Sequence, residues 1–251
     1  MASLKLKEVF CVVYSILLFV SGVLLIAFSV FLAYKLFYHF KFVSSGCIGP
    51  FIVIFLLGFI HLLLTWLGIK GPAREHDFHI YLFIAITIIL AIIEFTVGVW
   101  SMILWGEVRT ESTNLLTESF DEMIKIDYNK KEWVRLQSQL KCCGLNGSHD
   151  YAVKDSYPKA CSNLDLSNGT FQLLYEDGCS KRLIKYVKTI MVEGASMGFL
   201  SCAFQGFGVF IFYIFIKELK QERSRRIAKR LQLQREAAAA AGQQTPAPLP
   251  S

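Results

Sequence analysis

Four stretches of this chain are long, apolar and almost free of charge, and they dominate what it can fold into. Val9–Tyr34, Gly46–Ile69 and Gly194–Ile216 contain no Asp, Glu, Lys or Arg, and Ile80–Trp105 contains one, Glu94. Each reaches the roughly 20 residues that cross about 30 Å of hydrocarbon. Inside a bilayer the backbone finds no water, so it must satisfy its own hydrogen bonds, as a helix does. The fold class expected is an all-α integral membrane protein with a four-transmembrane-helix bundle. The 54% hydrophobic content and mean hydropathy of +0.45 agree with that reading. The first stretch is too long for the apolar core of a signal peptide, and no small-x-small cleavage site follows it, so it is read as a retained span.

Orientation follows from Lys and Arg close to the membrane. Lys5 and Lys7 precede the first span, Lys70 and Arg74 follow the second, and eight basic residues from Lys217 to Arg235 follow the fourth. These place both termini and the second connection in the cytoplasm. The expected organisation is a cytoplasmic N-terminus at 1–8, spans at 9–34, 46–69, 80–105 and 189–216, a small extracellular loop at 35–45, a cytoplasmic turn at 70–79, a large extracellular loop at 106–188 and a cytoplasmic tail at 217–251. The formal net charge of +6 comes mainly from that tail, which suits a topological anchor or attraction to membrane lipid and is no indication of nucleic acid. Its ending, "REAAAAAGQQTPAPLPS", lacks core-forming residues and is expected to be disordered.

Small and polar residues recur within the spans at steps of three, four or seven. Ser15, Gly22 and Ser29 do so in the first; Gly58, His61, Thr65 and Gly68 in the second. Thr87, Ala91, Glu94, Gly98 and Ser101 follow in the third, and Gly194, Gly198, Ser201, Gln205 and Gly208 in the fourth. Such steps fall on one helix face. Lipid gives helices no hydrophobic reason to associate, so small residues permit close backbone contact and polar ones bond across, which argues for a packed, left-handed bundle. Glu94 is costly in mid-membrane unless it faces the bundle, and its expected role is an intramembrane bond to Gln205 or Ser15. The competing reading makes Glu94 the gate of an ion or proton channel or transporter. "GASMG" at 194–198 has the Gly-x-Ser-x-Gly form of a hydrolase elbow, but it opens an apolar helix instead of a strand–turn–helix, so no catalytic residue is assigned. Histidines 39, 61, 76, 79 and 149 are scattered, and no metal site is expected.

The large loop looks helical at its ends. Leu116, Phe120, Met123 and Ile124 share a face, as do Trp133, Leu136 and Leu140, and as do Leu183, Val187 and Met191. Between Leu145 and Gly178 the chain is polar and rich in turn signals. Four of the seven cysteines, Cys142, Cys143, Cys161 and Cys179, lie in this loop, where an oxidising compartment preserves disulfides. Adjacent Cα atoms are about 3.8 Å apart, too close for an easy disulfide, so Cys142 and Cys143 each reach a distant partner. Two pairings satisfy that condition. The sequons at Asn146 and Asn168 agree with export.

Four spans, one short and one long outer loop, and Cys142-Cys143-Gly144 followed by Pro158-x-x-Cys161 and Gly178-Cys179 resemble the tetraspanins. The lead-in "WVRLQSQLKCCG" is similar to that family's Trp-x-x-Leu-Gln-x-x-Leu approach, and "GIKGPARE" resembles its cytoplasmic turn at Gly68, Gly71 and Glu75. The resemblance covers about residues 7–217. It implies the pairing Cys142–Cys179 and Cys143–Cys161. It also implies a non-enzymatic membrane organiser of the plasma membrane or endosomal membranes. The partners implied are adhesion receptors, immunoglobulin-type proteins, proteases and other tetraspanins. No cofactor is expected, although members hold cholesterol between their helices, so a sterol cavity near Glu94 is an expectation here. The chain departs from the family at Ser15, where Asn is usual, and at Ile69 and Lys70, which replace acylated cysteines. Cys11 is then the remaining candidate for palmitoylation. A claudin-like junction protein fits less well, because its large loop follows the first span.

If Asn146 and Asn168 are exported, endoglycosidase treatment should increase gel mobility, and N146Q and N168Q should each remove part of that shift. Glycosylation of a sequon introduced at 70–79 would invert the topology.

Overall fold

The computed structural model describes residues 2–73, 77–126, 130–154, 158–162 and 175–242. Its main elements are helices: α1, Ala2–Phe37; α2, Gly49–Ala73; α3, Asp77–Ile126; α4, Lys130–Leu140; and α5, Cys179–Gly242. Short 3₁₀ turns at Phe40–Phe42, Ser45–Ile48, Ser148–Lys154 and Lys159–Cys161 occupy the outer connections. α1, α2, α3 and α5 are each long and apolar enough to cross a membrane. The protein is a multi-pass integral membrane protein. α3 and α5 run well beyond the expected spans, so they carry the outer domain on continuations of the bundle's own helices.

α1 packs chiefly on α2, and α3 on α5. Glycine sets how closely each pair approaches. A Cβ on Gly22 would lie 2.9 Å from the Gly58 carbonyl oxygen, and one on Gly198 would lie 2.9 Å from the Glu94 carbonyl oxygen and 3.2 Å from Gly98 Cα. The backbones touch where a side chain would otherwise stand, so dispersion acts over its shortest range. Of the small and polar residues picked out by their spacing, Ser15, Ser29, His61, Thr65, Thr87, Glu94, Ser101 and Gln205 are buried. The hydrolase-like stretch lies inside α5. Gly194 meets the Phe51 ring and Gly198 meets α3, so both glycines are packing positions.

Two apolar clusters fill the interior. The cytoplasmic one gathers Tyr14, Leu18, Leu64, Phe83 and Phe212, with Phe83 stacked on Phe212 at 4.1 Å between centroids. The outer one runs without a break from Leu25, Phe51 and Val97 in the spans to Trp133, Leu136 and the bridged cysteines of the outer domain. At the cytoplasmic end, ion pairs Lys7–Glu218 and Arg223–Asp77 tie α1 and α3 to the extension of α5.

The tail departs from expectation. α5 continues unbroken through the basic stretch and the alanine run to Gly242, where disorder was expected beyond Arg235. Disorder was read from the absence of core-forming residues. A helix already nucleated in the membrane needs none to propagate through Lys, Arg, Gln, Glu and Ala, which are its best formers. Residues 243–251 lie outside the described residues.

Gly198→Leu should force α3 and α5 apart. An overpacking cost of about 1–3 kcal/mol is expected, read as a lower melting temperature in detergent and reduced surface yield. Gly206→Leu is the control, since a Cβ there meets nothing within 4 Å, and it should change neither.

Candidate functional site

The outer domain is built on one turn. α4 ends at Leu140, Lys141 takes a left-handed conformation with φ of 51°, and the chain reverses into Cys142-Cys143-Gly144. Gly144 has φ of 64°, and a Cβ there would come within 2.3 Å of the Gly147 carbonyl oxygen, so the position requires glycine. This turn binds the start of α5 through its backbone. Cys143 N–H donates to Asp177 O at 3.1 Å, Cys179 N–H to Gly144 O at 3.0 Å, and Ser180 N–H to Leu145 O at 3.0 Å. The Cys142–Cys179 disulfide, with Cα atoms 5.0 Å apart, lies across this contact, and Cys143–Cys161 ties in the chain eighteen residues on. Gly178 passes within contact of the Asn146 backbone, which leaves no room for a side chain.

Beneath the turn sits the Trp-x-x-Leu-Gln lead-in. Trp133 and Leu136 are fully buried and Gln137 is 1% exposed. Trp133 Nε1 donates to Ser119 Oγ at 3.1 Å, and its ring meets Phe120 and Phe42 edge-on. Gln137 Nε2 donates to the Tyr151 hydroxyl at 2.6 Å, while its Oε1 lies 3.5 Å from Cys161 Sγ. Burial pushes the Tyr151 hydroxyl pKa up. The amide thus lies against the second bridge, a contact spacing alone did not reveal.

The small loop is part of this domain. Phe42 and Val43 are buried in the outer cluster, Lys41 pairs with Glu132 at 3.1 Å, and His39 is 4% exposed beside Tyr186. Burial, reinforced by the Arg135 guanidinium, pushes the His39 pKa down to about 4. His39 is therefore neutral at the pH of extracellular fluid, and the stability its burial contributes is expected to fall as the pH drops from about 6.5 to about 4.

A second polar centre lies between the two apolar clusters. Glu94 is 2% exposed, and Gln205 and His61 are fully buried. His61 Nε2 stands 3.1 Å from Glu94 Oε1 and 2.7 Å from the Gln205 amide nitrogen, while its Nδ1 is 3.3 Å from Ser21 Oγ. An Nε2–H bond to Glu94 requires the Gln205 amide to present its oxygen, since one ring nitrogen cannot donate and accept at once. The expected partners of Glu94 were Gln205 and Ser15. The structure gives it His61 instead, which also receives Gln205. Ser15 donates to the Cys11 carbonyl at 2.8 Å and faces Gly68. Four helices meet at this imidazole: His61 on α2 lies between Glu94 of α3 and Gln205 of α5, with Ser21 of α1 at its Nδ1.

Of the other residues singled out, Cys11 is fully buried in the cytoplasmic cluster, the setting of a packing residue; acylation would require its thiol to turn out of the bundle. Asn146 is exposed on the outer turn, while Asn168 and Glu75 lie outside the described residues. Among the described residues no group of three His, Cys, Asp or Glu side chains is arranged to hold a metal ion.

A four-span bundle whose long outer loop is clamped to the last span by a Cys-Cys-Gly turn defines a class of membrane protein. The family model for the tetraspanin family matches residues 8–218. Leukocyte surface antigen CD53 of Mus musculus is 25% identical over 166 residues, covering 64% of this chain and 73% of that protein. The 23 kDa integral membrane protein of Schistosoma mansoni is 25% identical over 171 residues, 68% of this chain and 73% of that one. Tetraspanin-6 of Mus musculus is 21% identical over 209 residues, 80% and 85% of the two. The chain belongs to the tetraspanin family, and membership carries that family's role of membrane organiser.

His61→Leu and Glu94→Leu should each destabilise the bundle. The double variant should cost less than the two together, with a coupling of about 1 kcal/mol, in the range of polar contacts between membrane helices. Melting curves in detergent of the four members of the cycle provide the measurement. Strict additivity would show that the pair does not interact.

Proposed function

We propose that this protein is a non-enzymatic organiser of the plasma membrane that holds partner membrane proteins laterally. The partner surface is the stretch between the bridges, residues 145–178, together with the lipid-facing sides of the spans. The observation that carries this reading is the clamp. Cys142–Cys179 and the Cys179–Gly144 and Ser180–Leu145 backbone bonds hold the Cys-Cys-Gly turn to the start of α5, and Cys143–Cys161 holds the chain at Cys161 to the same turn. Anchoring both ends of a recognition segment in this way reduces the ordering entropy lost on binding. Adhesion receptors, immunoglobulin-type proteins, proteases and other tetraspanins are the partner classes the family suggests. The name of one relative, leukocyte surface antigen CD53, supports the plasma membrane over internal membranes.

A channel using Glu94 draws support from the buried His61–Glu94 pair. A conducting path also needs polar groups above and below it, and here the flanking layers are the two apolar clusters. Sterol is proposed in the apolar groove of about 380 Å³ between α1 and α2, walled by Tyr34, Phe51 and Phe55.

Replacing residues 145–177, except Cys161, with the corresponding segment of mouse Tetraspanin-6 provides the test. Proximity labelling in intact cells should show most partners exchanged at equal surface level. An unchanged partner set would remove this segment from recognition. A specific ion flux in reconstituted vesicles that E94Q abolishes would favour the channel.

A further inference from the structure

At the outer end of the α3–α5 pair lies an open groove of about 900 Å³. α3 contributes Trp105 and Arg109, and α5 contributes Lys181, Lys185, Lys188 and Val192. Its depth in the membrane follows from the helix. Trp105 is eleven residues beyond Glu94, a rise of about 16 Å, which matches the roughly 15 Å half-thickness of the hydrocarbon. Arg109 stands one turn higher, at headgroup level. The foot of the groove is apolar, formed by Trp105 and Val192, which are 38% and 46% exposed. Its walls above are basic.

The cations there are short of anions. Lys181 is paired with Asp177 at 3.2 Å, and Arg182 engages the same carboxylate at 2.8 Å. Lys181 and Arg182 hold the Asp177 carboxyl below its usual range. Glu176 is the other acid at the upper rim. Lys188 Nζ rests 4.0 Å over the Trp105 ring, and among the described residues neither Arg109 nor Lys185 has a carboxylate partner. Lys181, Lys185 and Lys188 are spaced four and three residues apart, so they share the face turned to this groove. Thr113, Asn146 and Thr189 add polar groups between them. Such a site suits an occupant that is apolar at the bilayer edge, negatively charged about one helical turn above it, and larger than a bare phosphate.

We propose that this groove binds an outer-leaflet lipid with an acidic headgroup, its chains beside Trp105 and Val192 and its charge on Arg109, Lys185 and Lys188. A lipid is favoured over an acidic protein segment because the exposed apolar foot lies at the hydrocarbon edge, where lipid is the neighbour at far higher concentration than any one protein.

The test uses the full-length protein in phosphatidylcholine vesicles containing a photoactivatable sulfated galactosyl lipid or its unsulfated counterpart. Crosslinks should map to the peptides holding Trp105 and residues 185–192, with at least a fivefold excess for the sulfated lipid. R109Q, K185Q and K188Q should each reduce that yield about fivefold, the factor equivalent to about 1 kcal/mol per basic residue at an anionic surface. K125Q, on an exposed turn of α3 away from the groove, should leave it unchanged. Non-reducing mobility reports that each variant keeps both disulfides. Equal labelling by the two lipids, or labelling that survives the triple variant, would overturn the proposal. So would full competition by free sulfated galactose, which would mark a soluble anion as the ligand, or crosslinking in cell membranes to an acidic protein segment while lipid labelling is absent.

Discussion

Helices in a bilayer gain nothing by hiding apolar surface from one another, so this fold depends on backbone proximity. Gly22 against Gly58 and Gly98 against Gly198 bring the helices of each pair into direct contact. Those contacts fix where every other side chain of the bundle can reach. The His61–Glu94–Gln205 centre depends on them, because its distances of 2.7–3.1 Å exist only if α2, α3 and α5 stand this close. So does the outer domain, since α3 and α5 carry it on their extensions.

The outer domain follows a different rule. In water a small helical layer buries too little to be stable alone. Here the deficit is met twice. Disulfides restrict the unfolded loop, and the apolar interior of the spans continues upward into Phe42, Trp133 and Leu136. The domain is therefore less a separate module than the upper end of the bundle's own core.

Much of this was legible in the sequence. Charge-free stretches revealed the spans, because the bilayer's thickness and its lack of water leave few alternatives. Steps of three and four gave the buried faces, and the cysteine doublet excluded its own pairing on distance. What spacing could not supply was which faces meet. Spacing put His61 on the small and polar face of the second span, but not against Glu94 and Gln205, which α3 and α5 bring to it. Phe42 and His39 looked like a short linker, and only the packing shows them beneath the outer domain. The basic groove joins Arg109 to Lys185, positions that no local pattern connects. The alanine-rich tail was misjudged for another reason: composition reports on the ability to form a core, whereas helix continuation depends on propensity and on a helix already present.

Cys179 is both the terminus of a disulfide and the first residue of a helix that continues for 64 residues. At 1.5 Å per residue that helix is about 95 Å long, several times the thickness of a small loop domain. A helix resists torsion because turning one end relative to the other breaks its hydrogen bonds in sequence. The Cys142–Cys179 bridge therefore joins the outer turn covalently to a helix that reaches the far side of the membrane without a break. The cytoplasmic end of that same helix carries Glu218 and Arg223, which pair with Lys7 of α1 and Asp77 of α3.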